Sequence, residues 1–123
     1  MKKILGFLSL LILASCTSDR HPETELDLPA DSIIPEPQMI LMLADAHTIE
    51  AAMLVDRNKG LDTKGQADFY YSGLFRKYRV SRERYQKNIE YYRSDQEHFI
   101  QMYEKVNREL TKRENDFIKE IPR

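Results

Sequence analysis

The chain has 123 residues, one cysteine, no tryptophan and a formal net charge of −1 at pH 7. This charge balance is ordinary for a soluble surface, and a single cysteine excludes an internal disulfide. The length allows one small domain with a modest hydrophobic core.

Residues 1–16 carry the pattern of a bacterial lipoprotein signal peptide. Lys2 and Lys3 precede an apolar run over residues 4–13, which is shorter than the roughly 20 residues needed to span a bilayer. The run ends in Leu-Ala-Ser-Cys at positions 13–16, the pattern of a lipobox. We therefore predict a signal peptide over residues 1–15 and acylation of Cys16. A plain secretory signal, with Cys16 an incidental thiol, is the alternative.

Acylation of Cys16 would leave no free thiol in the mature chain. It would exclude thiolate catalysis and cysteine-ligated metals, and would anchor the protein to a membrane through its N-terminus. The anchor places the protein outside the inner membrane, where nucleic acid is not an expected partner. Residues 17–33 contain two prolines, five acids and few apolar residues. We predict that residues 16–33 form a disordered acidic tether.

The folded domain is predicted over residues 34–110, and its first helix over residues 37–56. A helical projection places Asp45 on the solvent side and puts His47 and Glu50 within the apolar face. The sequence therefore predicts that His47 and Glu50 form a hydrogen-bonded polar pair in the core, since an unpaired buried polar group is costly. A ligand-binding, metal or catalytic role for this pair is the alternative.

A second helix is predicted over residues 66–78, where Gly73 suggests a close contact between helices. Ser81 has the position of an N-cap for a third helix, and Val80 and Tyr85 have the spacing of a hydrophobic staple around it. This third helix is predicted to end near Tyr92.

A capping box of Ser94 and Glu97 predicts the start of a long fourth helix. At 1.5 Å per residue its approximately 26 residues would measure roughly 39 Å, which is longer than so small a domain needs. We predict that residues 111–123 form a charged extension that projects from the body. The extension is either a solvated helix or an element that docks on a partner.

Charge is segregated along the chain. Acidic residues outnumber basic ones by 11 to 4 over residues 17–68, whereas basic residues outnumber acidic ones by 13 to 9 over residues 69–123. The basic part also contains all seven tyrosines. The predicted interaction patch consists of Arg76, Lys77, Tyr78, Arg82, Tyr85, Tyr91 and Tyr92. Its candidate partners are a glycan, an anionic lipid or an acidic protein surface; alternatively the tyrosines lie half in the core with their hydroxyls at its rim.

These features together resemble a family of short lipoproteins from Bacteroidota catalogued as domain of unknown function 4296. The residues that carry the resemblance, all within residues 34–110, are Ile34-Pro35-Glu36, Met39-Ile40, Leu43-Ala44-Asp45, His47, Glu50-Ala51, Phe75-Arg76-Lys77-Tyr78, Val80-Ser81, Tyr85, Tyr91-Tyr92, Met102-Tyr103-Glu104-Lys105-Val106 and Leu110. The resemblance implies a small all-helical envelope protein and supplies no activity. By the usual sorting of lipoproteins, Thr17 after the cysteine favours the outer membrane. The surface-exposed lipoproteins of this phylum carry an acidic run there, whereas Asp19 is followed by Arg20, which favours the periplasmic face.

The sequence indicates no enzyme, cofactor or metal site. The three histidines, His21, His47 and His98, are scattered, and no nucleophile triad, HExxH motif or phosphate loop is present. His47, Glu50 and His98 could share a metal only if the first and last helices packed in one register.

We therefore expect an all-α protein, a small bundle of about four helices with a long C-terminal helix. Its expected function is that of a lipid-anchored helical binding module or accessory subunit of an envelope assembly, with an envelope protein as partner. The alternative is a periplasmic chaperone-like module that binds extended polypeptides. An exposed groove of tyrosines and methionines would favour the alternative, and a closed core would count against it.

Overall fold

The computed structural model describes residues 28–122, and over this range it contains helices and no strand. A 3₁₀ turn at Ala30–Ser32 precedes four helices: α1 (Glu36–Asn58), α2 (Lys64–Tyr78), α3 (Arg82–Ser94) and α4 (Gln96–Glu120). The prediction of an all-α protein with four helices and a long last helix is confirmed. The signal peptide, Cys16 and the first part of the predicted tether lie outside the described residues.

Two helices end in a turn that needs a left-handed residue. After α1, Gly60 has a φ of 78°, and the amides of Gly60 and Leu61 bond back to the carbonyls of Arg57 and Asp56. After α2, Arg79 occupies the same position with a φ of 54°, although it has a Cβ. These turns satisfy carbonyl groups that would otherwise have no partner at each helix end, and they reverse the chain.

The N-terminal caps of α3 and α4 differ in how well the sequence predicted them. Ser81 accepts a hydrogen bond from the amide of Arg84 at 3.1 Å, as expected of an N-cap. At α4, however, the cap is Asp95, which accepts from the amide of His98 at 3.0 Å. Ser94 instead donates to the carbonyl of Tyr91 at 2.6 Å. The predicted capping box was therefore wrong by one residue, because Ser94 belongs to the last turn of α3.

The helices pack around α1, which contacts both α2 and α4, while α3 packs on α4. Gln38 near the start of α1 donates to the carbonyl of Tyr78 at the end of α2, and Glu50 further along α1 binds Tyr71 earlier in α2, so these helices are antiparallel. The largest fully buried apolar side chains are Ile34, Met39, Met42, Met102 and Val106. The core therefore lies where α1 meets α4 and the segment before α1.

The face of α1 that enters the core does not include the predicted polar pair. Met42 and Ala46 are buried, whereas Leu54 is 53% exposed and both His47 and Glu50 are exposed. The prediction of a polar pair in the core was therefore wrong. The physical reason is that α1 itself has apolar side chains on nearly all of its faces. Its sequence pattern alone therefore does not show which face is buried.

Because α1 is so rich in apolar residues, the stretch Ala30–Asn58 is long and apolar enough to match a membrane span. In this structure, however, α1 contributes buried core residues between Met39 and Ala46, and its acids Glu36 and Asp45 are paired with cations of other helices. The structure thus describes α1 as the central helix of the domain.

Two predicted boundaries also move. The predicted tether was wrong at its C-terminal end, because the 3₁₀ turn and Ile33 are held against α3. The predicted first residue of the C-terminal extension, Thr111, is too early in the chain, because Arg113 still forms an ion pair with Asp45 of α1. Every residue from Glu114 to Pro122 is exposed. We call residues 114–122 the docking tail.

Gly73 does not mediate the predicted close contact, because a Cβ added to it would meet no atom within 4 Å. Its φ is not in the left-handed region. We therefore expect Gly73→Ala to raise the free energy of unfolding by about 0.5–1 kcal/mol, since alanine favours the helix and restricts the unfolded chain. Urea denaturation of a dilute sample would measure this increase, and a decrease would show that the space at Gly73 is required by the fold itself.

Candidate functional site

His47 and Glu50 are exposed and do not pair with each other. The ring of His47 lies edge-on to that of Tyr103, with 5.7 Å between centroids. Glu50 accepts a hydrogen bond from the hydroxyl of Tyr71. Burial, together with this bond, raises the pKa of Tyr71 to about 12. Both side chains therefore take part in contacts between helices at the protein surface, His47 with α4 and Glu50 with α2.

The three candidate metal ligands do not converge. His98 Nε2 lies 3.0 Å from Glu36 Oε2, and Lys105 Nζ lies 2.5 Å from the other oxygen of the same carboxylate. The hydrogen bond from Lys105 holds the pKa of Glu36 below its ordinary value, and His98 adds to the effect. Within residues 28–122, no group of three or more histidine, cysteine, aspartate and glutamate side chains is arranged to hold a metal ion.

The predicted arginine–tyrosine patch is not a continuous surface. Tyr85 and Tyr92 are buried, and burial raises the pKa of Tyr85. Arg82 lies over the ring of Phe75, 5.4 Å from its centroid, and pairs with Asp68. The structure shows the other arrangement considered, in which the tyrosines pack partly in the core. The helical spacing of these residues distributes them over several faces, and the sequence pattern did not distinguish the buried faces from the exposed ones.

Three residues of α3 hold the main chain that precedes α1, and we call Arg84, Asn88 and Tyr92 the main-chain clamp. Asn88 Oδ1 accepts from the amide of Ile34 at 2.7 Å, and Asn88 Nδ2 donates to the carbonyl of Ser32 at 3.0 Å. Arg84 Nε also donates to Ser32 O at 3.0 Å, and Tyr92 OH donates to Ile34 O at 2.6 Å. The clamp therefore holds the end of the 3₁₀ turn and the two residues after it through their backbone groups only.

Asn88 is the only polar or charged residue that is buried among residues 28–122. Its amide also donates to the carbonyl of Arg84, so both ends of the side chain are satisfied. Sequence reasoning missed the clamp. Its one signal is the spacing of Arg84, Asn88 and Tyr92, which places them on one face of a helix. That spacing does not reveal what the face binds.

A second cluster, the Asp45 network, joins α1, α2 and α4. Asp45 Oδ2 lies 2.6 Å from Lys77 Nζ and accepts from the hydroxyl of Tyr78 at 2.8 Å, while Oδ1 accepts from Arg113 at 2.7 Å. Burial alone raises the pKa of Asp45, but the hydrogen bonds from Lys77, Arg113 and Tyr78 outweigh it and lower the pKa overall. Arg113 also pairs with Glu109 at 2.8 Å. The network therefore fixes the last part of α4 that contacts the body.

The docking tail continues α4 beyond this point without packing on the body. Phe117, Ile118 and Ile121 are 66%, 57% and 51% exposed. Phe117 and Ile118 lie on the last turn of α4, and Ile121 follows the last helical residue in an extended conformation. Single exposed apolar residues are common, whereas a cluster of large ones on a projecting helix is typical of an interaction element. The sequence analysis identified this extension but also allowed a merely solvated helix.

The groove expected of a chaperone-like module does not appear among the described residues. The methionines Met39, Met42, Met53 and Met102 are all buried, with exposures between 0% and 8%. Tyr85 and Tyr92 are buried with them. This closed core counts against the binding of extended polypeptides.

The comparisons with known proteins bear on the family alone. The family model Domain of unknown function (DUF4296) matches residues 30–116, from the 3₁₀ turn held by the clamp to the first turn after Arg113. No curated protein and no solved structure gives a significant match. Because the family model covers well over half of the chain, the protein belongs to the family described as Domain of unknown function (DUF4296).

Proposed function

We propose that the protein is a lipid-anchored envelope lipoprotein that acts as a helical binding module or accessory subunit of an envelope assembly. The observation that carries the proposal is the docking tail, which presents to solvent Phe117 and Ile118 on the last turn of α4 and Ile121 just after it. Amphipathic helices commonly bind by placing such a face in an apolar groove of a partner. The proposal assigns the protein no catalytic role.

The lipobox at positions 13–16 supports the anchor, and the residues after Cys16 support an outer-membrane lipoprotein on the periplasmic face. The clamp adds a mechanical reason why the domain suits such an anchor. A pull on the chain before residue 31 would be resisted by the hydrogen bonds of Arg84, Asn88 and Tyr92 before it reached α1. The folded body would therefore stay intact while it is held at a membrane.

The proposal is tested by crosslinking in intact cells. We expect a defined crosslinked species, and we expect deletion of residues 114–123 to reduce its yield at least tenfold. This deletion keeps Arg113 and therefore the Asp45 network, so it removes the tail without unfolding α4. Ile100→Ser is the matched control, because Ile100 is 55% exposed on the same helix and lies outside the tail.

Cys16→Ser separates the anchor from the binding element. This variant should leave the membrane fraction and lose the crosslink in cells, while the purified protein keeps its fold. The proposal would be contradicted if only uncrosslinked monomer were recovered from cells that express the unaltered chain, and if deletion of the tail gave the same result.

A further inference from the structure

The turn that joins α1 to α2 projects from the body, and we call residues 54–69 the hairpin tip. Met53 is the last buried residue of α1 and Leu74 is the first of α2, whereas every residue from 54 to 69 is exposed or half-buried. The tip is an apolar element separate from the docking tail. Its large apolar side chains, which are between 50% and 73% exposed, are Leu54, Val55, Leu61 and Phe69.

These four side chains lie at one end of the molecule. The amide of Leu61 bonds back to the last turn of α1 at 3.0 Å, in a type of turn whose apolar residue commonly packs on the end of the helix. Glu50 of α1 contacts Tyr71 of the antiparallel helix α2. Leu54 and Phe69 both lie on the turn side of that contact. The tip therefore presents a cluster of apolar side chains rather than single ones, which is typical of an interaction surface.

The charges of the tip balance. Its three cations and three acids are Arg57, Lys59, Lys64, Asp56, Asp62 and Asp68. Two of the acids have partners within the chain, since Asp62 Oδ1 accepts from the amide of Lys64 at 3.0 Å and Asp68 pairs with Arg82 at 3.2 Å. The tip therefore offers a partner apolar contact and little net electrostatic attraction.

The chain that precedes the described residues brings one partner within reach of the tip. The proposed acylation site, Cys16, lies 15 positions before Asp31, whose carbonyl Arg84 holds in the clamp. Fully extended, 15 residues span about 50 Å. The helix α1 leads from the clamp to the tip, and its 23 residues measure about 34 Å. The tip can therefore touch the membrane that holds the anchor even when α1 stands upright on it.

The anchor also makes that membrane the most concentrated partner available to the tip. A short flexible linker gives an effective concentration in the millimolar range, so weak insertion is sufficient. A lipid interface accepts apolar side chains without a cavity of matching shape. We propose that the hairpin tip inserts its four apolar side chains into the interface of the phospholipid membrane that carries the anchor. This inference rests on the anchor of the proposed function and adds a second contact, which orients the domain on the membrane.

Tryptophan fluorescence reports the insertion directly, because the chain contains no tryptophan. The chain that starts at residue 16 is coupled through the thiol of Cys16 to a maleimide lipid in neutral phosphatidylcholine vesicles. We expect the emission of Leu61→Trp to move to shorter wavelength and to be quenched at least twofold by brominated lipid. Ile100→Trp and Ile118→Trp should show neither change, since Ile100 is exposed outside the tip and Ile118 belongs to the docking tail.

Removal of apolar side chains shows whether the tip itself drives the insertion. Leu54→Ser/Phe69→Ser in the Leu61→Trp chain should abolish the quenching, while circular dichroism shows an unchanged fold. Phe117→Ser/Ile118→Ser is the matched control, because it removes two exposed apolar side chains from the docking tail. It should leave the quenching of Leu61→Trp unchanged.

Three results would each overturn the inference. They are an unquenched Leu61→Trp, equal quenching at positions 61, 100 and 118, and quenching that survives Leu54→Ser/Phe69→Ser. A crosslink in cells from the tip to a protein, together with an unquenched Leu61→Trp, would make the tip a protein contact and overturn the membrane as its partner.

The failure of this inference is distinguishable from that of the proposed function. The coupling to lipid is chemical, so the quenching does not depend on acylation in cells. Loss of the crosslink or absence of the protein from the membrane fraction would contradict the proposed function. An unquenched Leu61→Trp would overturn this inference and leave the docking tail and the anchor as proposed.

Discussion

Asn88→Ala is expected to lower the free energy of unfolding by about 3 kcal/mol, the largest effect of any single polar substitution in this domain. The truncation removes the acceptor for the amide of Ile34 and the donor for the carbonyl of Ser32. The amide of Ile34 would then lie unsatisfied beside a small cavity, because Asn88 is fully buried, whereas Ser32 O would keep its bond from Arg84 Nε. Urea denaturation would measure the loss as a lower midpoint with an unchanged slope.

Gln86→Ala is the matched control, since Gln86 is exposed on the same helix. It should change stability by less than about 0.5 kcal/mol. Asn88→Asp provides a second comparison, because it keeps the acceptor for Ile34 but places a carboxylate beside the carbonyl oxygens of Ser32 and Arg84. It should also be destabilising. Stability within about 1 kcal/mol of the parent for Asn88→Ala would show that the clamp does not hold the segment in solution.

Asp45→Asn is expected to lower the free energy of unfolding by about 2 kcal/mol, since it weakens charge-assisted hydrogen bonds to two cations at once. The value is modest for a network of this size, because the carboxylate keeps 16% of its exposure and solvent screens the charges. The substitution keeps the shape of the side chain, so the loss reports the charge. Asp116→Asn is the control, because Asp116 is exposed and its ion pair with Lys119 spans one turn of the same helix.

The contribution of Asp45 should depend on pH in a defined direction. Its pKa in the folded protein is below its ordinary value of 3.8, so the stabilisation is complete above that value and is lost as the pH falls through the folded pKa. The difference in stability between the parent and Asp45→Asn should therefore be constant near neutral pH and shrink below about pH 4. A difference that grew on acidification would contradict the assigned role.

The clamp and the Asp45 network hold the two ends of the described chain to the same body. The clamp fixes the main chain of residues 31–34 on α3, and Arg113 fixes α4 on α1. The proposed anchor precedes the first point, and the proposed docking element follows the second. The limits of the family match, residues 30 and 116, fall close to these two points.

Local patterns predicted the elements of the fold well. Helix starts depend on short-range chemistry, so Ser81 before an apolar repeat was enough to place the start of α3. The predicted last helix is longer than so small a domain needs, which was enough to predict that its last turns leave the body. Short-range rules were less reliable where two caps competed, as at Ser94 and Asp95, because both residues can accept from a backbone amide.

The orientation of side chains around the helices depended on contacts distant in sequence. Asp45 was assigned to the solvent side, yet its partners come from positions 77, 78 and 113 on two other helices. Asn88 binds backbone groups more than 50 residues away, and a backbone group carries no mark in the sequence. The amino-acid sequence thus determined where helices begin and end, since caps and periodicity act over a few residues. The helix α1 has apolar side chains on nearly all of its faces. Only its packing against the other helices decided which polar groups are buried and which surfaces are exposed to solvent.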